Sequence, residues 1–187
     1  MKLVVLIIAV VTVVALPYLN IGGKSDGEKQ TTNKALQSTH TALTKIYTNV
    51  PHLKANDLVT MDEENIGVFD VRDKDEYAIS HIKNATRVDP SIDALTFYEK
   101  FGHQLADKTV VLYCSVGARS SILAEKLINS DIEKGTSKIY NLENGIFGWH
   151  NESRPLFQLS EPTEFVHPYN RVWGLLVNRD EFKRYEN

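Results

Sequence analysis

The chain has 187 residues, of which 42% are hydrophobic and 24% are charged, so it is long enough to bury one sizeable core. Its formal net charge is −3, and no stretch combines Lys and Arg with interleaved aromatic residues. This charge pattern argues against nucleic acid as a partner. The single cysteine, Cys114, excludes an intrachain disulfide.

The first 21 residues are membrane-directed. Lys2 is followed by an uncharged run from Leu3 to Leu16, so residues 1–21 are interpreted as an N-terminal membrane anchor or a signal peptide. We favour the uncleaved anchor, because Leu3 to Ile21 approaches the length of about 20 residues that a spanning helix needs. Lys2 should stay in the cytoplasm, which places the rest of the chain on the non-cytoplasmic (periplasmic or extracellular) side.

Four segments follow this N-terminal segment. Residues 22–34 are polar and contain glycine, which predicts a linker. Residues 35–51 have apolar side chains at helical spacing and predict a leading helix. Residues 52–157 form the main domain, and residues 158–187 form a C-terminal arm.

The C-terminal arm carries several apolar residues. We expect Trp173, Leu175 and Leu176 to dock on the domain, because so much exposed apolar surface would promote aggregation. The alternative is a tail that binds a partner or touches the membrane.

The main domain alternates strand and helix patterns. Strands are predicted at 52–54, 66–71, 85–88, 110–113 and 137–142. Helices are predicted at 56–61, 74–79, 89–101 and 120–130. The alternation predicts an α/β fold, a central parallel sheet with helices on both faces. Ligands bind such sheets beyond the carboxyl ends of the strands, where Asp70 and Cys114 fall.

Cys114 is the strongest candidate for a reactive group. It ends the apolar strand 110–113 and precedes a short loop and a helix. A helix N-terminus and a nearby cation stabilise a thiolate, so Cys114 is expected to be a nucleophile. The alternative is an inert buried cysteine that closes a core strand. The positions of Gly117 and Arg119 favour the reactive cysteine.

Four ordered motifs resemble those of the rhodanese family of sulfurtransferases. They are Cys114-Ser115-Val116-Gly117-Ala118-Arg119-Ser120, Val68-Phe69-Asp70-Val71-Arg72 with Glu76, His81-Ile82-Lys83-Asn84-Ala85, and Asn141-Leu142-Glu143-Asn144-Gly145-Ile146-Phe147-Gly148-Trp149. The resemblance spans about residues 52–157. Ser80 and Asn144 depart from it, because the family usually has glycine at the first position and commonly has glycine at the second. Both departures are expected to be tolerable in loops.

The resemblance implies a rhodanese-like fold and a catalytic role for Cys114. Its thiolate would take a sulfane sulfur from thiosulfate or a persulfide, and a thiol or a cyanide-like acceptor would then remove that sulfur. A protein persulfide is a further candidate partner. Neither a metal nor an organic cofactor is required. The substrate-binding loop would consist of Ser115, Val116, Gly117, Ala118, Arg119 and Ser120.

Arg119 is the only cation of this loop. Its guanidinium either organises the loop or neutralises an anionic donor, and we expect the organising role. A doubly charged donor would be held weakly by one cation. The natural donor is therefore expected to be less anionic than thiosulfate.

Three residues near the end of the second strand are expected to support the site. Arg72 and Glu76 are predicted to form an ion pair that holds the fold. Asp70 is predicted to hold Arg119 rather than to react.

Four other motif or aromatic residues receive structural interpretations. His81 is expected to satisfy a backbone group at a turn, and nothing near it in sequence has metal-ligand spacing. His150 and His167 are expected at the surface. Trp149 is expected to pack beneath the domain, although the family resemblance implies that its loop borders the substrate pocket.

Two other classes of function stay open. A phosphatase or arsenate reductase of the same fold would also use Cys and Arg, but the related phosphatases have a loop one residue longer. Four residues separate Cys114 from Arg119, and this loop length favours sulfur chemistry. The second class is a non-catalytic sulfur carrier or protein-interaction module.

Overall fold

The predicted strands form one parallel sheet in the computed structural model, which describes residues 24–130, 132 and 138–185. The strands of this sheet are β1 (His52–Leu53), β2 (Ile66–Asp70), β3 (Thr86–Arg87), β4 (Thr109–Tyr113) and β5 (Lys138–Leu142). Their order is β1-β5-β4-β2-β3, and every neighbouring pair is parallel.

Helices connect these strands. The α-helices in the described part of the chain are α1 (Asp26–Ile46), α2 (Ala55–Thr60), α3 (Lys74–Ile79), α4 (Ala94–Phe101), α5 (Ala118–Ile128) and α6 (Gly145–Asn151). Short 3-10 helices lie at Glu63–Asn65, Gly102–Gln104, Trp173–Leu176 and Asp180–Phe182.

Strand β4 lies at the centre of the sheet. Val110, Val111, Leu112 and Tyr113 are each 0% exposed. Because successive side chains of a strand point to opposite faces, full burial of all four means that both faces are covered. The predicted α/β fold, a parallel sheet covered on both faces, is confirmed.

The strand register brings the predicted site residues to one edge of the sheet. Asp70, the last residue of β2, is paired with Tyr113, the last residue of β4. The Val71 N–H donates to the Tyr113 carbonyl at 2.8 Å. Cys114 directly follows Tyr113, so Asp70 and Cys114 share the carboxyl edge of the sheet, as predicted.

The predicted linker at 22–34 is wrong from Asp26 onwards, because α1 begins there and runs to Ile46. The helix begins with a capping box. The Ser25 side chain accepts from the Glu28 N–H, and Glu28 accepts from the Ser25 N–H at 2.7 Å. The predicted end of the helix, residue 51, is five residues beyond the observed one.

The C-terminal arm docks on the domain, as predicted. Its short helix Trp173–Leu176 packs against α1, and both Leu176 and Val177 are fully buried. Lys24, which precedes α1, donates through Nζ to the carbonyls of Leu175 at 2.8 Å and Val177 at 2.7 Å. The arm therefore packs against the helix that occupies most of the predicted linker.

A two-stranded antiparallel hairpin was not predicted. It consists of β6 (Leu156–Gln158) and β7 (Glu161–Thr163), so the predicted boundary at residue 157 falls inside β6. Strand β7 contains Pro162. In a two-stranded ribbon a strand has a free edge, where proline is tolerated.

The predicted membrane-directed segment, residues 1–21, lies outside the described residues. Within the described residues, no helix is both long enough and apolar enough to cross a bilayer.

Candidate active site

Cys114 lies between the end of β4 and the first turn of α5. Its Sγ accepts a hydrogen bond from the Gly117 N–H at 3.2 Å, and the residue is 1% exposed. The N–H groups in the first turn of α5 have no acceptor within the helix, and the helix dipole places partial positive charge there. These groups can stabilise an anion at or near Sγ.

Gly117 has the backbone conformation that the loop requires. Its φ of 95° lies in the left-handed region, which glycine adopts more readily than other residues. An added Cβ would also lie 3.0 Å from Nδ2 of Asn141.

The carbonyls of the loop are held from outside it. The Cys114 carbonyl accepts from the Ile146 N–H at 2.9 Å, and the Ser115 carbonyl accepts from the Phe147 N–H at 3.0 Å. A Cβ on Gly145 would lie 2.4 Å from the Cys114 carbonyl oxygen, so glycine is needed there. The start of α6 thus fixes the orientation of the first two peptide groups of the loop.

The structure accommodates both departures from the family pattern. Asn144 adopts a φ of 62°, a left-handed conformation that asparagine tolerates better than most residues. Ser80 has an extended backbone with a φ of −170°, which any residue can adopt.

Asn141 is a site residue that the sequence analysis did not single out. Its buried Nδ2 donates to the Gly117 carbonyl at 3.2 Å and to Oγ of Ser121 at 2.9 Å. These bonds tie the loop to β5. The only signal in the sequence was its position in the fourth family motif.

Arg119 is held by carboxylates and by a loop hydroxyl. Its Nη1 and Nη2 donate to the two carboxylate oxygens of Glu76 at 2.7 and 2.8 Å. Nη1 also donates to Asp73 at 3.0 Å, and Nη2 donates to Oγ of Ser115 at 3.0 Å. Asp70 was predicted to hold Arg119, and that prediction is wrong because Glu76 occupies the guanidinium fork.

The Glu76–Arg119 pair fixes the charge state of both groups. Burial alone would raise the pKa of Glu76, but the hydrogen bonds and charge of Arg119, together with the charge of Arg72, lower that pKa to about 2. Burial likewise disfavours the charged form of Arg119. The bonds to Glu76 and the electrostatic interactions with Cys114, Glu76 and Asp73 outweigh burial and raise the pKa of Arg119.

Arg72 pairs with Asp70, not with Glu76 as predicted. Its Nε donates to Asp70 Oδ1 at 2.8 Å and its Nη2 to Asp70 Oδ2 at 2.6 Å, with both side chains fully buried. Nη2 also donates to the Ser80 carbonyl. Removing one partner would leave an uncompensated buried charge, so this pair has a structural role beneath the site.

Of the three predictions about histidines, one is confirmed and two are wrong. Nδ1 of His81 lies 3.0 Å from the Ile82 carbonyl, so it satisfies a backbone group, as expected. His150 and His167 are buried rather than at the surface, because the C-terminal arm covers His150 and packs around its own residue His167. Their Nε2 atoms donate to the arm carbonyls of Glu164 at 2.9 Å and Tyr185 at 3.2 Å.

Trp149 packs beneath the domain, as expected. It is 5% exposed, and its Nε1 donates to the Pro155 carbonyl at 2.9 Å. It lines a cavity of about 370 Å³ together with Ile82 and Phe157, and neither Cys114 nor its loop lines that cavity.

Tyr169 is a second residue that the sequence analysis missed. Its ring lies over the guanidinium of Arg119, with 4.8 Å between the ring centroid and Cζ. The C-terminal arm therefore brings an aromatic side chain to the loop that follows Cys114. No cluster of His, Cys, Asp or Glu in the described ranges could hold a metal ion.

Several known proteins are similar to this chain in sequence. The thiosulfate sulfurtransferase GlpE of Coxiella burnetii is 33% identical over 104 residues, which cover 56% of this chain and 88% of that protein. The tRNA uridine(34) hydroxylase of Onion yellows phytoplasma is 32% identical over 135 residues, which cover 67% of this chain and 42% of that protein.

A solved structure shares the fold. The thiosulfate sulfurtransferase of Pseudomonas aeruginosa superposes with a TM-score of 0.53 at 20% identity, covering 65% of this chain and 22% of that chain. The family described as Rhodanese-like domain matches residues 55–152, within the predicted domain at 52–157. Because this match spans more than half of the 187 residues, the chain belongs to the rhodanese-like domain family.

Proposed function

We propose that the chain is a sulfurtransferase that moves a sulfane sulfur from a donor to a thiol or another nucleophilic acceptor through a persulfide on Cys114. The observation that carries the proposal is the Gly117 N–H donating to Sγ at 3.2 Å beside the first turn of α5. The relative named thiosulfate sulfurtransferase, of which this chain spans 88%, supports the same chemistry.

The reaction is two nucleophilic substitutions at sulfur. In the first, the Cys114 thiolate attacks the outer sulfur of the donor, and the bond between the donor's two sulfur atoms breaks. The rest of the donor leaves with the electron pair as sulfite or a thiolate. In the second, an acceptor thiolate attacks the outer sulfur of the Cys114 persulfide, and the Cys114 thiolate is restored.

The loop provides the electrostatic part of catalysis. Negative charge lies on Sγ of Cys114 before transfer and moves to the outer sulfur in the persulfide. The Gly117 N–H and the N–H groups at the start of α5 are fixed dipoles that face this charge in a site shielded from water. They need no reorganisation as the charge moves by one bond.

The donor is proposed to be less anionic than thiosulfate. Arg119 is the loop's single cation, and its guanidinium is already compensated by the carboxylates of Glu76 and Asp73. A dianion would therefore meet two carboxylates and one cation. A singly charged persulfide would be repelled less.

Three alternative functions differ from this one in the substrate or in turnover. The loop keeps four residues between Cys114 and Arg119, which favours sulfur over the phosphate of a phosphatase or arsenate reductase. A tRNA substrate, suggested by the relative named tRNA uridine(34) hydroxylase, is not favoured by a net charge of −3. A non-catalytic sulfur carrier would share the persulfide, and kinetics separate it from an enzyme.

The test combines intact-protein mass spectrometry with a turnover assay. After treatment with a sulfane donor, we expect one added sulfur atom on the peptide that contains Cys114, and its loss when cyanide or a thiol is added. Repeated turnover with donor and cyanide would identify an enzyme. One sulfur per chain without turnover would indicate the carrier instead, and no added sulfur would contradict the proposal.

For localisation, we propose that residues 1–21 direct the chain to the membrane and place its domain on the non-cytoplasmic side. The uncharged run from Leu3 to Leu16 behind Lys2 supports this proposal. The full-length chain should fractionate with membranes, and protease added on the non-cytoplasmic side should reach the domain. Recovery of intact chain in the soluble cytoplasmic fraction would overturn it.

A further inference from the structure

The C-terminal arm changes the surroundings of the proposed site in a way that the family match does not cover. That match ends at residue 152, whereas Tyr169 lies 17 residues beyond it. The ring of Tyr169 covers the face of Arg119, and the edges of the same guanidinium are bonded to Glu76, Asp73 and Ser115. Ser115 directly follows Cys114, so the ring lies beside the catalytic loop.

The position of Tyr169 is fixed by local structure. Its backbone has a φ of 63°, a left-handed conformation that is uncommon for a bulky side chain. Its N–H donates to Nδ1 of His167 at 3.0 Å, and Nε2 of His167 donates to the Tyr185 carbonyl at 3.2 Å. The surrounding structure thus maintains a conformation that would otherwise be disfavoured.

The segment around Tyr169 is also anchored on both sides. The Val166 N–H donates to the Phe182 carbonyl, and the Val166 carbonyl accepts from the Arg184 N–H. Asn170 Oδ1 accepts from the N–H groups of Val172 and Trp173 at 2.9 Å each, which ties Asn170 to the start of the short helix that packs on α1. The ring is therefore held by a docked element and not by a free tail.

Part of this aromatic side chain remains available to a ligand. Tyr169 is 44% exposed, whereas Cys114 is 1% exposed and the Arg119 side chain 19%. A donor that approaches along Arg119 contacts the ring of Tyr169 and the carboxylate of Asp73. The charge of Arg119 itself is already compensated by carboxylates. These surfaces suit a donor with an apolar body and a single negative charge.

We infer that Tyr169 is a specificity-determining residue of the Cys114 site, whose ring favours monoanionic organic sulfur donors over inorganic thiosulfate. This inference rests on the proposed function and names the class of donor that the site selects. With an organic thiosulfonate, the Cys114 thiolate takes the outer sulfur and the sulfinate leaves with the electron pair of the broken bond.

The test compares two donors of equal charge, benzenethiosulfonate and methanethiosulfonate, which differ in the apolar body that the ring would contact. In the full-length chain we measure the ratio of kcat/KM for the two donors in wild type and in Tyr169→Ala. The variant should lower the preference for the benzene donor by about three- to tenfold, the usual range for one aromatic contact. Tyr169→Phe should retain the preference for the benzene donor. In Tyr169→Ala, kcat/KM for thiosulfate should rise or stay unchanged.

Two controls make the outcomes decisive. Val172→Ala alters an exposed apolar residue of the same arm and should leave the ratio unchanged. Thermal denaturation shows whether each variant remains folded. Equal losses with both donors would show that Tyr169 only positions Arg119, and an unchanged ratio would show no role in selection, so either result overturns the inference. If wild type transfers sulfur from neither donor, the proposed function itself fails.

Discussion

Cys114→Ser is expected to lower the sulfur-transfer rate at least about a thousandfold, because the serine hydroxyl does not ionise near neutral pH and cannot form a persulfide. Wild type treated with donor should gain one sulfur atom on the Cys114 peptide, and the variant should gain none. The chain has one cysteine, so no second thiol can replace it.

The same substitution should leave the fold intact. Serine is close in size to cysteine, and its Oγ can accept the Gly117 N–H bond that Sγ accepts in wild type. Circular dichroism and the thermal midpoint should therefore resemble those of wild type, and Cys114→Ala should be equally inactive. A folded Ser variant that retains a tenth or more of the transfer rate would refute the assignment of Cys114 as nucleophile.

The centre of the fold could be predicted from local patterns. The apolar run of β4 and the helical spacing in α5 define a strand, a loop and a helix within about 20 residues, and Cys114 falls at their junction. Parallel pairing then places the ends of β2 and β4 at one edge. These inferences need only periodicity and the general geometry of α/β sheets.

The ion pairs of the site could not be predicted in the same way. Glu76 and Arg119 are 43 residues apart and meet because α3 and α5 begin at the same edge of the sheet. Asp70 and Arg72 are two residues apart and form a buried bidentate pair. The sequence places the five charged residues that form the ion pairs of the site near two strand ends, but it does not state which of them pair: Asp70, Arg72, Asp73, Glu76 and Arg119.

Local sequence could have predicted the start of α1, but it could not have predicted the contacts of the C-terminal arm. The capping box of Ser25 and Glu28 was present in the sequence and could have revealed the start of α1. By contrast, nothing local indicates that Tyr169 stacks on Arg119, because that contact depends on where the arm docks. The burial of His150 and His167 has the same origin.

Arg119→Lys is expected to lower kcat about 10- to 100-fold with every donor. The guanidinium spans both oxygens of Glu76 and Oγ of Ser115, whereas one ammonium nitrogen cannot reproduce this fork. Losing one charge-assisted hydrogen bond costs about 1.5–3 kcal/mol, which corresponds to roughly this range of rate.

The choice of donors separates the two roles that Arg119 could have. If Arg119 organises the loop, kcat should fall by a similar factor with thiosulfate and with a singly charged persulfide. If it binds the charge of the donor, the loss should be confined to KM for thiosulfate, and the organising role would be wrong. Arg171→Lys, which changes an exposed arginine of the C-terminal arm, is the matched control and should behave as wild type.

A double-mutant cycle tests whether Arg119 and its partner Glu76 act together. Glu76→Gln keeps the size of the side chain but removes the charge that faces the guanidinium. If the pair acts as one unit that positions Ser115 and the loop, the Arg119→Lys and Glu76→Gln double variant should be little slower than the slower single variant. Additive losses would mean that Arg119 and Glu76 act on separate steps. The pair would then not be the element that holds the loop around Cys114.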